Sequence, residues 1–463
     1  MADPDLHRIP PVVFEVCRAF AGAGGHAWLV GGSVRDLLLG QIPKDPDIEV
    51  HGLHADNLRQ TLDHMGKVEL VGQQFGVFKL WKDNLCIDIA LPRIEQKTGA
   101  GHKAFAVIPD PDMTPEKASL RRDFTINAMM LNPLSGRLLD FHGGYSDLQD
   151  GILRHVSPAF AEDPLRVLRG MQFAARYRLK LNSDTAVLCR QLLPEAETLA
   201  KERIWCEWQK WAQAPHPSFG LNVLNESDWL QLYPQLAALR GCVQDPGWHP
   251  EGDVWTHTKL VTDQAAGIAD RRHLELETCE HLVFAALCHD LGKPATTSMQ
   301  EADHAPRIRS TGHSEAGEEP ARAFLTAIGA PKRMTRHVIP LIREHLMHLH
   351  GQPTPRAVRR LAHRLEPESI ELWESLVEAD ASGRAPLPPT RPAWPWLEQA
   401  RKMEVQNGKP ELLATGRMLL ELGMQQGPDM GRLLAEAYEA QLDGEFSNAP
   451  GARDWLSRKL GNG

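Results

Sequence analysis

The run from Ala27 to Val50 constrains this chain more than any other. A short apolar stretch, Ala27 to Val30, leads into Gly31-Gly32-Ser33, and Val34 to Gly40 then reads as a helix. Glycines between a strand and a helix let backbone N–H groups approach an anion, and the helix dipole favours its charge. In that setting Gly32 would face the anion and Arg35 would add a charged fork. Many such turns bind nothing, so this piece decides little alone. Lys44-Asp45-Pro46-Asp47-Ile48-Glu49-Val50 follows at once. Alternate residues of a strand share a face, which sets Asp45 beside Asp47. Two carboxylates at that spacing can hold two Mg2+ ions, one activating an attacking hydroxyl and one neutralising a triphosphate. Asp-Pro-Asp is also good turn chemistry, so the motif alone leaves a plain bend open. The stretch Leu85 to Ala90 predicts a second strand whose single carboxylate, Asp88, sits among apolar neighbours. That is an unusual position unless a partner or a metal waits there.

The rest of the chain sets the frame. At 463 residues it is too long for one core and predicts about three domains. Short β-like runs (AWLV, VFKLW, LCIDIAL, TINAMML) mix with helical ones in the first third, and long amphipathic helices dominate from about Asp163 onward. The expected architecture is therefore an α/β (α+β) head on an all-α body. Linkers are expected at 214–220 (APHPSFG) and 384–395 (RAPLPPTRPAWP), and a break at Gly427-Pro428. The longest apolar stretches, such as Leu282 to Leu287, fall far short of the ~20 residues a membrane helix needs. The N-terminus has no hydrophobic signal core, and the seven cysteines are scattered with no CxxC, so no membrane partner and a cytoplasmic location are expected. A net charge of −9 argues against a uniformly basic nucleic-acid coat. Local basic segments exist: residues 117–180 hold ten Lys/Arg against six Asp/Glu, and residues 331–364 hold eight against the single acid Glu344. Within the latter, Arg356, Arg359, Arg360 and Arg364 fall on one helical face after Pro355, either a stripe facing nucleic-acid phosphates or a solvated surface.

A second constellation lies in the body. His257, the pair His289-Asp290 at the end of an apolar run, and Asp380 follow one another in order. Imidazole with carboxylate suits a borderline divalent ion, which would lower the pKa of a bound water for attack on a phosphoester. His313, His345 and His348 are candidate outer partners among 21 histidines.

The ordered set Gly31-Gly32-Ser33-Val34-Arg35-Asp36, Asp45-x-Asp47, Arg121-Arg122-Asp123-Phe124-Thr125-Ile126-Asn127-Ala128-Met129 and Glu162-Asp163-Pro164-Leu165-Arg166 resembles the bacterial-type (class II) tRNA nucleotidyltransferase and poly(A) polymerase family. The likeness runs over roughly residues 25–215. It implies a polymerase-β-like nucleotidyltransferase head in residues 1–150 and a helical neck with a base-recognition motif in 151–215; the second constellation puts a metal phosphohydrolase domain in 216–385, and a helical tail is expected in 386–463. It further implies catalysis by Asp45, Asp47 and Asp88, with Mg2+ on the first two. Nucleotide binding would fall to Gly32, Arg35, Arg93, Arg122, Asp123, Asn127, Glu162, Asp163, Arg166 and Arg169. Arg122 and Asp123 would sit by the ribose, Asp163 and Arg166 would read the base, and Glu162 would orient Arg166. Pro46 departs from the family's usual apolar residue and predicts an edge or bulged strand. The segment Glu95 to Lys103 is either the family's flexible loop or a plain hairpin.

The set His257, His289, Asp290, Asp380 resembles the HD superfamily of metal phosphohydrolases and implies Ni2+, Mn2+ or Co2+ there. Together the two likenesses imply an HD-bearing CCA-adding enzyme that uses CTP, ATP and tRNA and also hydrolyses 2′,3′-cyclic, 2′- and other phosphoesters. A poly(A) polymerase and a CC-only or A-only enzyme share the head. The segment Val156 to Ala161, the HD set and a tail without a long basic run favour full CCA addition. An HD phosphohydrolase with an inactive head would have lost Asp45 and Asp47, and both are present. Oligomeric state is not legible in the chain.

Overall fold

The computed structural model describes residues 4–71, 77–97, 105–301 and 306–461. Two compact units emerge, Met1–Glu207 with Phe219–Trp229, and Trp208–Ser218 with Leu230–Gly463. These units do not follow the expected bounds: residues 208–215 of the expected neck belong to the second unit, and Phe219–Trp229 of the expected HD segment to the first.

In the first unit a helix, Pro11–Gly22, precedes β1 (His26–Val30) and the helix Gly32–Leu38. There follow β2 (Asp47–His51), β3 (Lys67–Val71), β4 (Val77–Lys82) and β5 (Leu85–Ala90), a separate hairpin of β6 (Arg93–Lys97) and β7 (Phe105–Pro109), and the short β8 (Met130–Leu131) and β9 (Leu138–Leu139). The main sheet has the order β3-β4-β5-β2-β1-β8-β9. Only β2 and β5 pair in parallel; the other neighbours are antiparallel. Residues 98–103 of the Gly-rich segment lie outside the described residues, between the two hairpin strands.

Two expectations change here. β2 is central rather than an edge strand, because it begins at Asp47, after the proline. Pro46 has no N–H to give, and its carbonyl instead accepts from the Asp88 amide at 3.0 Å. The run TINAMML is not one strand: Thr125–Asn127 is a 3-10 turn, and only Met130–Leu131 joins the sheet. The Thr125 amide is drawn instead to the Arg154 carbonyl at 2.9 Å.

In the helix Leu165–Tyr177, Val167, Leu168, Met171, Ala174 and Ala175 are buried, while Arg169 and Arg176 lie to one side. This is the 3.6-residue period of a helix with one face on a core. Phe124 anchors that face in edge-to-face contact with Phe160 and Phe173, at centroid distances of 5.4 and 6.0 Å.

The second unit is helical. The helix Leu276–Cys288 is buried from Glu280 to its end and packs against Val254–Arg271, Lys332–Glu344 and Ile370–Ser382. An apolar run with no polar face can only sit at the centre of such a group. A separate cluster around Leu419, Trp455 and Leu456 joins the last three helices, Gly416–Glu421, Pro428–Asp443 and Ala449–Lys459. The expected linker at 214–220 is shorter than it looks, since a helix already starts at Pro217, and proline is at home in a first turn. All seven cysteines are free. Among the described residues no helix is long and apolar enough to cross a membrane.

Candidate active sites in the two units

The first site forms where β1 gives way to its helix. Gly31 has φ +65°, and a Cβ there would stand 3.2 Å from Arg122 Nη1 and 3.6 Å from Asp47 Oδ2, so a glycine is needed twice over. Ser33 ties this turn to β2, its Oγ accepting from the Asp47 amide at 3.0 Å. Asp47 opens β2 directly opposite Asp88 of β5. Asp45 lies two residues before the strand in an exposed bend, so the expectation that Asp45 and Asp47 share a strand face fails; it is Asp88 that stands beside Asp47 in the sheet. Burial, with repulsion from Asp88 and Asp45, lifts the Asp47 carboxyl to about 6 against the opposing Arg122 charge. Neighbouring acids of this kind suit divalent-cation ligands, though their oxygens are not drawn together within 4.8 Å as those of the second unit's clusters are. The partner of Asp88 that the sequence left open is Lys79, whose Nζ donates to Oδ1 at 2.7 Å.

Around these acids two cavities of about 400 and 480 Å³ share Asp47, Arg122 and Arg166 in their walls. Asp88, Arg93 and Arg121 line the first; Gly32, Asp123, Asn127, Asp163 and Arg203 line the second. Arg122 donates to Glu49 at 3.2 Å. Arg169 pairs with Asp123 at 2.8 Å, and Asp123 also accepts from Asn127 at 3.0 Å. Burial opposes the charge on Asp123, but Arg169 and Asn127 prevail and hold its carboxyl below the usual range. Arg166 donates to the carbonyls of Ala159 and Arg121 at 2.6 and 3.0 Å, which fixes its fork. Asp163 accepts from the Leu165 amide at 3.0 Å and from Arg203 at 2.9 Å. Glu162 stands 3.7 Å from Arg121, the residue whose carbonyl holds Arg166.

Arg35 departs from expectation. Only 3% exposed, it donates to Asp36 and Asn127 and stacks 4.3 Å from the Tyr177 ring centroid. These contacts brace its guanidinium in the wall of the second cavity, beside Gly31 and Gly32.

The second site lies where the central helix of the other unit ends. His257 Nε2 stands 3.1 Å from Asp380 Oδ1 and 3.8 Å from Asp290 Oδ2, and His289 Nε2 is 3.2 Å from Asp290 Oδ2. His313 Nε2 approaches Asp290 Oδ1 at 3.3 Å. Both oxygens of Asp290, and His289 Nε2, are buried without a well-aligned hydrogen bond. Lys293 Nζ reaches Asp290 Oδ2 at 2.7 Å, and the lone pairs left over fit a bound cation. Burial opposes charge on His257, but hydrogen bonding to Asp380 and Glu251 wins and raises its pKa. Gly292 fixes the approach of His313: a Cβ there would stand 2.1 Å from the His313 carbonyl.

A cavity of about 640 Å³ opens over these residues, walled by Trp248, Lys293, Leu349, Arg384 and Leu387. The Pro-rich stretch expected to be a mere linker therefore forms one of its walls.

The four arginines of the helix Pro355–Arg364 do not present a free stripe. Arg356 and Arg360 pair with Asp443 at 2.9 and 2.6 Å, Arg359 donates to the Leu442 carbonyl at 3.0 Å, and Arg364 pairs with Glu344 at 2.8 Å. The acids that neutralise them come from elsewhere in the chain, which is why helical spacing did not reveal them.

Residues 27–154 match the Poly A polymerase head domain, and residues 254–377 match the HD domain. A multifunctional CCA protein of Xanthomonas campestris pv. campestris is 36% identical over 426 residues, 90% of this chain and 97% of that protein. The chain belongs to the multifunctional CCA protein family. Another member, from Neisseria meningitidis serogroup A, is 38% identical over 365 residues, 77% of this chain and 82% of that one. The fold is similar to that of the Bacillus stearothermophilus CCA-adding enzyme in complex with CTP (TM-score 0.67, 21% identity, covering 97% of this chain and 98% of that one). It is also similar to the Thermotoga maritima CCA-adding enzyme complexed with tRNA (TM-score 0.61, 20% identity, covering 98% and 97%).

As a multifunctional CCA protein, the chain is a nucleotidyltransferase that carries an HD domain. Several groups in its two sites escaped sequence reading. Glu49 could have been found, since it extends the alternation of Asp45 and Asp47 by one step. Lys293 and Arg384 could have been found as well, three and four residues after Asp290 and Asp380, whereas Lys79, Arg203 and Glu251 carry no such spacing and only the fold brings them to the sites.

Proposed function

We propose that this protein completes the tRNA 3′ end with C, C and A, taking CTP and ATP in turn, and that its HD unit hydrolyses phosphoesters. The observation that carries the first part is the meeting of Asp47, Arg122, Asp163 and Arg166 around adjoining cavities. Asp45 and Asp47, with Asp88 beside them, would hold Mg2+, which supplies positive charge against a triphosphate and a lowered pKa for the attacking hydroxyl. Arg122 and Asp123 line the same space and suit the sugar and phosphates, and Arg93 adds charge at its rim.

Base choice follows from donor and acceptor polarity. Cytosine and adenine each offer an exocyclic amino donor beside a ring-nitrogen acceptor. A carboxylate such as Asp163 accepts from the first, and a guanidinium such as Arg166 donates to the second. Uracil and guanine present the opposite polarity and would leave both protein groups unpaired, at a cost of several kcal/mol. The carbonyls that hold Arg166, and the Arg203 that holds Asp163, support a protein template of fixed shape. A tRNA lacking its 3′ end, supplied with one labelled nucleotide at a time, tests this reading. Incorporation of C, C and then A supports it, and a run of A alone would give poly(A) addition instead.

For the HD unit, His257, His289, Asp290 and Asp380 would hold a transition-metal ion such as Ni2+, Mn2+ or Co2+. The bound ion would supply an acidified water for attack on phosphorus. Lys293 and Arg384 suit the phosphate, and the exposed Trp248 suits a base. Release of phosphate or opening of 2′,3′-cyclic AMP in the presence of these metals is the test. Work on tRNA supports a cytoplasmic location.

A further inference from the structure

Asp47, Glu49 and His51 alternate along β2 and so share one face of the strand. Asp47 belongs to the proposed Mg2+ site, whereas Glu49 and His51 have no part in it. His51 is buried and directs Nδ1 at the Met113 carbonyl at 2.8 Å and Nε2 at Glu49 Oε1 at 3.0 Å. A carbonyl and a carboxylate can only accept, so the ring donates from both nitrogens. The other oxygen of Glu49 accepts from Arg122 Nη2 at 3.2 Å. One unbroken line of hydrogen bonds thus runs from Met113 through His51 and Glu49 to the Arg122 guanidinium.

Both ends of this line are fixed. At the far end the Gly52 amide donates to the Pro111 carbonyl at 2.8 Å, which ties the end of β2 to the segment that carries Met113. At the near end Arg122 Nη1 lies against Gly31, beside Asp47 Oδ2. Arg122 walls both cavities of the site, and Glu49 walls the first. An arginine side chain loses much rotamer freedom when held in one place, and a fixed acceptor offsets that loss. Glu49 supplies the acceptor from a central strand. A further metal ligand it is not suited to be, because both its oxygens already have donors and its side chain is only 12% exposed.

We propose that Glu49, backed by His51, is a positioning residue for nucleotide addition. It holds the Arg122 guanidinium where the sugar and phosphates of an incoming nucleotide meet Asp47. This rests on the reading of the head given above and adds a residue to it. The effect falls on nucleotide affinity and not on base choice, because Asp163 and Arg166 are held by other partners, Arg203 and two main-chain carbonyls.

Two variants of the full chain test this. Glu49→Met removes both acceptor oxygens at nearly constant volume. Glu49→Gln keeps the line intact: its amide oxygen accepts from Arg122, and its amide N–H donates to a His51 ring that then needs only its Nδ1 proton. In Glu49→Met the KM for CTP and for ATP should rise about tenfold, as for one lost charge-assisted hydrogen bond, with kcat within about twofold of the parent. The CTP-to-UTP preference should stay as it is. Glu49→Gln should bring KM back to within about threefold of the parent. Equilibrium dialysis of labelled CTP with Mg2+ should show the same differences without turnover. If Glu49→Met does not fold, His51→Leu replaces it, with an expected rise in KM of about threefold. A fall in kcat at unchanged KM would overturn the proposal, as would a Gln variant no better than the Met variant. A raised Mg2+ requirement in Glu49→Gln would overturn it too, and would make Glu49 a metal ligand. Failure of the functional reading looks different: a parent that binds CTP yet extends no tRNA discards CCA addition, and the dialysis series still decides the role of Glu49.

Discussion

Asp47 and Asp88 stand opposite each other in the only parallel pairing of the main sheet, so their carboxylates leave β2 and β5 on one face. Parallel neighbours in register place side chains beside each other, and here the neighbours are like charges relieved by Lys79 and Arg122. A cation completes that balance. Asp47→Asn should therefore lower both CTP and ATP incorporation by about a thousandfold, since lost metal stabilisation is worth several kcal/mol and each ~1.4 kcal/mol is tenfold. HD hydrolysis in the same protein should be unchanged. Nucleotide incorporation at a parental rate would remove Asp47 from the metal site.

Arg203 makes a second test. It holds Asp163 Oδ2 at 2.9 Å from a helix some forty residues downstream in sequence. If Asp163 reads an amino group, its orientation is what discriminates against UTP and GTP. Arg203→Ala should then reduce the preference for CTP over UTP by roughly tenfold, the worth of about one charge-assisted hydrogen bond. Addition of the correct nucleotide should fall less than the preference does. An unchanged CTP-to-UTP ratio in single-nucleotide assays would exclude this positioning role.

Much of both sites was legible because their chemistry is local in sequence. Asp45-x-Asp47, Arg122-Asp123 and His289-Asp290 are contiguous motifs that the fold only has to orient. What the chain could not show was which long-range partner each charge would find. Arg35 read as a phosphate fork because a helix start after glycines favours that use, yet Asn127 and Tyr177 draw it inward from far along the chain. Pro46 read as an edge marker because a missing N–H costs a ladder bond, but the strand starts one residue later and no bond is lost. The Pro-rich segment after Gly383 read as a spacer; its irregular backbone is what lets Leu387 and Arg384 wall the HD cavity.

The arginines of the helix Pro355–Arg364 give a third prediction. Asp443 and Glu439 pair with Arg360, and Asp443 also holds Arg356. Phosphate contact would require these pairs to open. Arg359→Ala with Arg360→Ala should leave the slope of log K for tRNA against log salt unchanged, where loss of real duplex contacts would flatten it by about 0.9 each. The variant should lose only about 1 kcal/mol of stability, as partly exposed ion pairs do. A flattened slope would restore the arginines to the RNA-binding surface.

Glu368 offers a prediction in pH. His281 and His337 lie nearly parallel with ring centroids 4.1 Å apart, and both direct Nδ1 at Glu368 Oε1, at 2.8 and 2.6 Å. Rings stacked this way point their nitrogens in parallel, which suits a shared carboxylate better than a shared ion. The pair joins the helices Leu276–Cys288 and Lys332–Glu344 to the segment before Ile370–Ser382. Burial pushes the Glu368 carboxyl up, but the hydrogen bonds from His281 and His337 outweigh it and hold its pKa below the ordinary value. A carboxyl depressed by folding contributes stability that is complete above its unfolded pKa, about 4.3, and is lost as pH falls through the lower folded value. Glu368→Gln should accordingly destabilise the protein by about 2 kcal/mol at pH 7, within the range for hydrogen bonds to a charged group. The gap between variant and parent should narrow as the pH is lowered from about 5 toward 3. Denaturant unfolding of both proteins across that range measures it. A gap that stays constant with pH would mean that the charge on Glu368 contributes nothing and that the cluster acts by packing alone.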